Sequence, residues 1–290
     1  MDGGYVGWAQ IRAHREGRAA AVPSAAAGLY VCGSLEGLSR PCVAIVGTRA
    51  ASRSGQSLTR RLAEELARSG VCIISGLALG IDAAAHEGAL AGDGFTIGVL
   101  GGGLGCFFPE RNRALAERIL AAGGAVCSPY EHDHPAKPHQ FLERNAVVAA
   151  LADAVVVVEA PARSGALNTA SWAAGRIPVL VFPGDVDRVN VAGCLALIRD
   201  GATLVRNSAD ILAELRLDAA CEQIAMRWPP FEAQDPLQRE ILTQLTTEAH
   251  SEDRLIELLG CSTAALLAAL TQLELAGAIE RRDDGAIARR

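Results

Sequence analysis

Seven short apolar runs constrain this 290-residue chain more than any other feature. They occupy residues 43–46, 71–74, 96–100, 125–127, 154–158, 179–182 and 203–205. Each is too short for a stable helix and lacks polar alternation, so each reads as a strand buried on both faces. Segments of helical composition, 55–68, 81–91, 111–121, 140–151, 168–174 and 194–199, fall between most of them. Strand–helix alternation of this kind predicts an α/β fold. The expected form is a Rossmann-like, doubly wound, mostly parallel sheet over residues 42–210. Ligands of such sheets sit beyond the carboxyl ends of the strands. In this chain those ends coincide with loops rich in Gly, Ser, Arg and Asn.

The flanks read differently. Residues 1–41 look like a short, loosely attached lead-in, with one possible helix and a strand candidate at 29–32. Residues 211–234 read as a linker, because Trp228-Pro229-Pro230 cannot continue a helix. Residues 235–290 change pattern. Asp235-Pro236 opens a helix to Leu245, residues 251–259 form a second, and Ser262 caps a third that Gly277 ends. A turn at Asp283-Asp284-Gly285 then joins two short strand candidates. Three helices and a hairpin predict a small winged-helix-like domain. Its third helix carries no Arg or Lys. Phosphate contacts need positive charge, so a protein-contact or accessory role is expected there in place of duplex reading.

Charge and cysteine usage remove several classes. The net charge is −6, which argues against a nonspecific polyanion binder. Residues 42–210 hold 15 basic and 16 acidic side chains, whereas 211–290 hold 8 and 14. Any nucleic-acid site is therefore expected as a local pocket in the first part. No apolar run approaches the ~18 residues of a membrane span, and the N-terminus lacks a signal-peptide pattern. The expectation is a cytoplasmic protein with no membrane partner. The eight cysteines include no CxxC pair and read as small buried hydrophobes in a reducing compartment. His132 and His134 lie in a Pro-rich loop without ligand spacing, so no metal is expected.

Five strand-end stretches carry the chemistry. The central one runs from Ser75 through Gly76 to His86 and joins a strand to an Ala-rich helix. It reads either as a close-packed β-to-α turn or as an anion site at a helix N-terminus. Gly47-Thr48-Arg49 offers an arginine that clamps a phosphate, or merely a surface arginine. Gly101-Gly102-Gly103-Leu104-Gly105 brings main-chain groups close to an anion, yet matches neither GxGxxG nor a P-loop, so no nucleotide cofactor is implied. Lys137 to Asn145 mixes Lys137 and Arg144 with Phe141, a combination suited to single-stranded nucleic acid, unless Phe141 is core. Ser164-Gly165 opens another helix, which contains Thr169. Together on one sheet edge these loops favour an anionic or nucleotide ligand. Among candidate acids and bases, Asp82 and His86 stand four apart on one helix face and are expected to pair in support of the turn. Glu159 and Asp185 complete that candidate set, and neither Ser75 nor Ser164 lies in a GxSxG context.

Taken in order, the loops resemble the DNA-processing protein A family (DprA, also called Smf). The resemblance rests on Val46-Gly47-Thr48-Arg49, the 75–86 stretch, Gly88-Ala89-Leu90, residues 96–103, Phe108-Pro109, Phe141, Arg144-Asn145, Val158-Glu159-Ala160, Ser164-Gly165, Thr169-Ala170, Pro183-Gly184 and Gly201-Ala202. It covers roughly residues 28–210, and the trailing segment fits the family's winged-helix appendage. The resemblance implies a single-stranded DNA-binding protein, not an enzyme, that protects incoming DNA during natural transformation. It also implies loading of the recombinase RecA onto strands covered by single-strand-binding protein, and a homodimer. The DNA contacts it implies are Arg49, Ser75, Gly76, Gly101, Gly102, Lys137, Phe141, Arg144, Asn145, Ser164, Gly165 and Thr169. Of these, Arg49, Lys137 and Arg144 would meet phosphates. The glycine and serine loops would offer N–H groups, and Phe141 would stack a base.

The chain departs from the family pattern in places. Ala146 stands where a pocket arginine is usual, Pro129 where a glutamate is common, and Leu195 where an asparagine is usual. The residues before the sheet are too few for the helical N-terminal domain of many members. A rival reading is a nucleotide-processing phosphoribohydrolase-like enzyme on the same type of sheet. Its Pro-Gly-Gly-x-Gly-Thr-x-x-Glu signature is replaced here by Glu159-Ala160-Pro161-Ala162-Arg163-Ser164-Gly165. A third reading is an interaction scaffold with a vestigial pocket.

Overall fold

The strands alternate their side chains between two helical layers, and this leaves every central strand without a solvent face. In the computed structural model, residues 3–15, 27–215, 235–245, 250–275, 278–281 and 286–289 are described. The chain starts with β1 (Gly4–Gly7), α1 (Trp8–His14) and β2 (Gly28–Gly33). The regular alternation follows as β3 (Cys42–Val46), α2 (Arg53–Arg68), β4 (Cys72–Ser75), α3 (Ile81–Ala91), β5 (Thr96–Val99), α4 (Arg113–Ala121) and β6 (Ala125–Ser128). It continues as α5 (Gln140–Ala150), β7 (Ala154–Val157), α6 (Gly165–Ala173), β8 (Val179–Val181), α7 (Ala192–Arg199), β9 (Thr203–Leu204) and α8 (Ser208–Glu214).

One sheet has the order β1-β2-β6-β5-β4-β3-β7-β8-β9. The neighbours from β6 to β9 are parallel, while β1–β2 and β2–β6 are antiparallel. The chain winds outward from β3 to β6, crosses back through α5, and winds the other way from β7. The direction of winding therefore reverses between the adjacent strands β3 and β7. Val43, Ile45, Ile73 and Val156 pack with Leu62, Leu66, Ile81 and Ala85 of α2 and α3. Their sequence neighbours Ala44, Val46, Ile74, Val155 and Val157 pack with Val147, Ala150, Ala166 and Ala170 of α5 and α6. Burial on both faces is why these strands lack polar alternation.

All seven expected strands and six expected helices lie where the sequence places them, with ends shifted by a few residues. The expected lead-in differs. Residues 4–7 and 28–33 form the antiparallel edge of the sheet, and Ile11, Leu29 and Leu38 are fully buried in the same core as β3. Arg15, after α1, is 2% exposed. It donates to the carbonyl of Leu151 and, at 2.5 Å, to Oδ1 of Asp153. The other oxygen of Asp153 accepts from the backbone N–H of Cys42 at 2.8 Å. One carboxylate thus ties the N-terminal helix to the start of β3. Helix α8 was not expected; the Asn207 side chain starts it by accepting from Asp210 N at 3.0 Å.

The chain divides into two compact units, Met1–Cys221 and Glu222–Arg290. Of the linker expected over 211–234, the first residues finish α8, and 216–234 lie outside the described residues. Gly277 and the turn at 283–285 also lie outside them. The second unit contains α9 (Pro236–Gln244), α10 (Glu252–Leu259), α11 (Thr263–Leu275) and the hairpin β10 (Ile279–Arg281) and β11 (Ile287–Arg289). Asp235, Ser251 and Ser262 cap these helices, Ser262 as expected. Ile241, Leu255, Leu266, Leu270, Leu273, Ile279 and Ile287 form a separate core. This is the winged-helix arrangement. Among the described residues, no single helix is long and apolar enough to cross a membrane.

Replacing Asp153 with Ala removes one carboxylate from a buried guanidinium and the acceptor of the Cys42 N–H, a loss that destabilises by about 3 kcal/mol. Urea unfolding of the Asp153→Ala protein is expected to show a lowered midpoint with an unchanged slope.

Candidate functional site

Beyond the carboxyl ends of β3 and β7, at the reversal of winding, lies a cleft of about 470 Å³. Open α/β sheets place ligands at this topological position. Thr48 and Arg49 line it from the loop after β3. Arg163, Ser164, Gly165 and Thr169 line it from the loop after β7 and the start of α6. Pro138, Phe141, Leu142, Arg144 and Asn145 close it from α5 and the segment before it. Gly47 allows the first loop to turn: a Cβ there would sit 2.4 Å from the Ile81 side chain. Thr48 N then donates to Glu159 O at 2.7 Å and pins the β3 and β7 loops together.

Three helices start near this edge, and the chain fills two of their N-termini with its own carboxylates. At α2, Glu159 accepts from Ser52 N at 2.9 Å and Ser52 Oγ at 2.6 Å, with Arg188 at 3.5 Å. Before α3, Asp82 Oδ2 accepts from Gly76 N at 3.1 Å and Ala78 N at 3.4 Å. The expected Gly76 N–H is therefore already taken. Helix α6 has no acidic residue in its first turn. Ser164 Oγ accepts from Ala166 N at 3.2 Å, and Gly165 lies exposed in the cleft. This N-terminus is the one left open to an outside anion.

The cations divide into two kinds. Arg49 and Arg163 are exposed, and among the described residues neither forms an ion pair. The Arg49 guanidinium lies 5.1 Å from the Phe141 ring centroid. Arg144 behaves otherwise than expected. It is 3% exposed and donates through one nitrogen to the carbonyls of Gly76 and Val99. A Cβ on Gly76 would collide with this guanidinium at 2.2 Å, so glycine is required there by packing. Burial lowers the pKa of Arg144 and raises that of Asp82, and each group counteracts the shift of the other. Arg144 thus braces the floor of the cleft and does not project as a free phosphate ligand.

Several other expected contacts are structural. Ser75 is fully buried and donates to Ile45 O at 2.6 Å. Gly101 and Gly102 line neither the cleft nor its neighbouring niche. They are packed under Phe141 and Ala136, where added Cβ atoms would lie 2.7 and 2.9 Å away. Their glycines serve close packing. Lys137 is exposed beside Pro138, and its backbone N–H donates to Gln140 at 2.7 Å. Asn145 donates to Gly165 O at 3.1 Å and Asn168 Oδ1 at 3.2 Å, joining α5 to α6. Thr169 lines the cleft but is 1% exposed. Sequence reasoning assigned no role to Arg163 or Phe108. The signal for Arg163 was its place directly before Ser164-Gly165.

Asp82 and His86 do not pair. Thr96 Oγ1 donates to Ile73 O at 2.8 Å, so it accepts from His86 Nδ1 at 2.7 Å. This leaves His86 Nε2 bare, buried and without a partner. Burial and nearby Arg144 depress the His86 pKa from its ordinary 6.5 to about 3. Burial likewise pushes the Cys127 thiol up to about 12 and that of Cys194 to about 11, so neither is a ready nucleophile. On helix α11 the exposed positions Ala264, Ala265, Leu267, Ala268 and Thr271 form a small, uncharged face.

For His86 the folded protein binds a proton less readily than the unfolded chain. Stability from this group is complete above pH 6.5 and is lost as pH falls toward 3, by up to about 1.4 kcal/mol per pH unit. The His86→Leu protein is expected to lose stability less steeply between pH 6.5 and 4, read from urea midpoints across that range.

Comparison with known proteins gives a consistent result. Residues 17–216 match the family model for DNA recombination-mediator protein A, and residues 228–285 match that for the DprA winged helix domain. A putative DNA processing protein DprA from Mycobacterium tuberculosis is 40% identical over 247 residues, covering 83% of this chain and 62% of that protein. The chain therefore spans less than two thirds of that relative. The X-ray structure of DprA from Streptococcus pneumoniae superposes with a TM-score of 0.61 at 39% identity, covering 66% of this chain and 67% of that one. The Helicobacter pylori DNA processing protein A, solved for its single-stranded DNA binding mode, gives 0.60 at 33% identity, covering 66% and 87%.

Proposed function

The chain belongs to the DNA recombination-mediator protein A family, and from that premise we propose that its cleft holds the backbone of single-stranded DNA without catalytic turnover. One observation carries the reading. Two arginines that form no ion pair among the described residues, Arg49 and Arg163, line the cleft with the open N-terminus of α6 at the point where the sheet reverses its winding. Phosphates fit such a cleft through bidentate guanidinium contacts and helix N–H groups. The neutral balance of residues 42–210 confines attraction to this pocket, which suits a strand threaded through it better than a duplex lying on a basic face. The single-stranded DNA binding of the Helicobacter pylori relative supports the same choice.

The family's role supplies the rest of the proposal. The protein protects incoming strands in the cytoplasm during natural transformation, loads RecA recombinase onto strands covered by single-strand-binding protein and works as a homodimer. The neutral face of α11 suits contact with protein in place of DNA. The hydrolase alternative lacks a free carboxylate. Asp82 is the acidic residue among those lining the cleft, and it already accepts two backbone N–H bonds.

Oligo-dT and duplex DNA titrated at several salt concentrations test the reading. Oligo-dT is expected to bind more tightly, with affinity falling as salt rises. Arg49→Ala and Arg163→Ala should each weaken binding and flatten the log–log salt slope by about 0.7, one phosphate's share for a single strand. Failure of the wild-type protein to bind oligo-dT at low salt rules the proposal out. Release of free base from a nucleoside monophosphate supports the enzyme instead.

A further inference from the structure

The loop that carries Arg49 is held by segments far from it in sequence. At its two ends, Thr48 N donates to Glu159 O at 2.7 Å, and Ser52 gives its N–H and its hydroxyl to the Glu159 carboxylate at 2.9 and 2.6 Å. Between them, the Asn190 side-chain amide donates to Ala50 O at 3.2 Å. From the start of α3, Ile81 N donates to Thr48 O at 3.3 Å. Gly80, at φ 82°, approaches so closely that a Cβ there would lie 2.4 Å from Thr48 O and 2.8 Å from Arg49 O. The backbone on both sides of Arg49 is thus fixed from three directions, while its side chain is exposed in the cleft. Asn190 lies in the connection between β8 and α7. That connection touches the loop's supports twice, because its Arg188 also lies 3.5 Å from Oε1 of Glu159, the oxygen that accepts from Ser52 Oγ. Val191 anchors the connection at 3% exposure, and Val191 N donates to Arg188 O at 3.1 Å. Val186 and Val189 of the same connection are 78% and 77% exposed. The segment therefore adds little to the core, and its ordered contacts are directed at the Arg49 loop.

We propose that Asn190, together with the Arg188–Glu159 pair, positions Arg49 for a strand phosphate, so that the β8–α7 connection is a working part of the DNA site although it does not line it. This rests on the cleft being a single-stranded DNA site. Bidentate contact between a guanidinium and a phosphate requires a set direction of approach. Ordering a long side chain and its loop on binding costs affinity, and a backbone fixed beforehand leaves only the side chain to be ordered. Asn190, Arg188 and Glu159 are absent from the walls of the cleft, so their effect on a strand runs through the Arg49 loop. A carboxylate beside a phosphate site is unfavourable by charge alone. Here the Glu159 carboxylate is answered by Ser52 and Arg188, and in return it fixes the end of the loop.

The experiment measures oligo-dT affinity for Asn190→Ala, Asn190→Gln and Glu159→Asp in three backgrounds: wild type, Arg49→Ala and Arg163→Ala. None of the three substitutions changes the net charge, so a loss reports geometry. In the wild-type background Asn190→Ala is expected to weaken binding about 2- to 10-fold, the worth of one hydrogen bond, and Glu159→Asp by at least as much. In the Arg49→Ala background the further loss should fall within about twofold, because substitutions that act through one residue do not add. In the Arg163→Ala background the loss should persist in full. Asn190→Gln keeps an amide donor and should recover part of it. Thermal melting checks folding; the Asn190 bond lies at the surface, so Asn190→Ala keeps the test open even where Glu159→Asp destabilises the protein. No loss from Asn190→Ala, or an equal loss with and without Arg49, overturns the positioning role while leaving single-stranded DNA binding standing. Absence of wild-type binding to oligo-dT overturns the parent reading and this role together.

Discussion

The cleft depends on a guanidinium buried beneath it. Arg144 rises from α5, the crossover helix that links the two halves of the sheet, and donates to the carbonyls of Gly76 and Val99 at the ends of β4 and β5. Burying a cation is costly unless charge and hydrogen bonds compensate it. Here Asp82 supplies the charge, and its own carboxylate is held by Gly76 and Ala78 N–H groups. One small turn thus presents its carbonyl to a cation and its N–H groups to an anion. The absence of a side chain at Gly76 makes both possible, since a Cβ would occupy the guanidinium's place.

That arrangement also decides where an outside anion can go. A β-to-α turn at the end of a parallel strand is a ready anion site. This fold has such turns before α2, α3 and α6, and it closes the first two with Glu159 and Asp82. The same carboxylates stiffen the loops that hold Thr48 and Arg49 in place. Of these three helix N-termini, α6 is the one left without an internal acid. Arg49 and Arg163 line the same cleft, while other cations of the sheet domain, Arg60 and Arg206 among them, are tied in exposed pairs with Glu87 and Asp210. Local charge placement therefore reconciles the proposed polyanion ligand with a net charge of −6.

The winged-helix unit follows different logic. Its helices are set by local caps at Asp235, Ser251 and Ser262, and by a core of Leu and Ile that it does not share with the sheet. Nothing about its exposed α11 face resembles a phosphate reader, since Ala and Thr dominate where Arg and Lys would be needed. The protein thus concentrates its polar chemistry on one sheet edge and leaves its second unit neutral or acidic.

The sequence by itself determined the strands, their order as alternating β and α elements, the winged-helix pattern and the edge of the sheet that carries the site. Continuous β-branched runs have few alternatives to burial on both faces, and caps act over three or four residues. Only the tertiary structure decided which residues of that edge are free. A glycine needed for a ligand and a glycine needed for packing look alike in sequence, because both report a missing Cβ; Gly76, Gly101 and Gly102 proved to be packing glycines. Arg144 and Arg163 are equally charged on paper, yet one is buried among carbonyls and the other is open. Asp82 and His86 share a helix face, but β4 and β5 offer each a better partner than the other. In every case the deciding quantity is burial against a distant segment, and local sequence does not carry it.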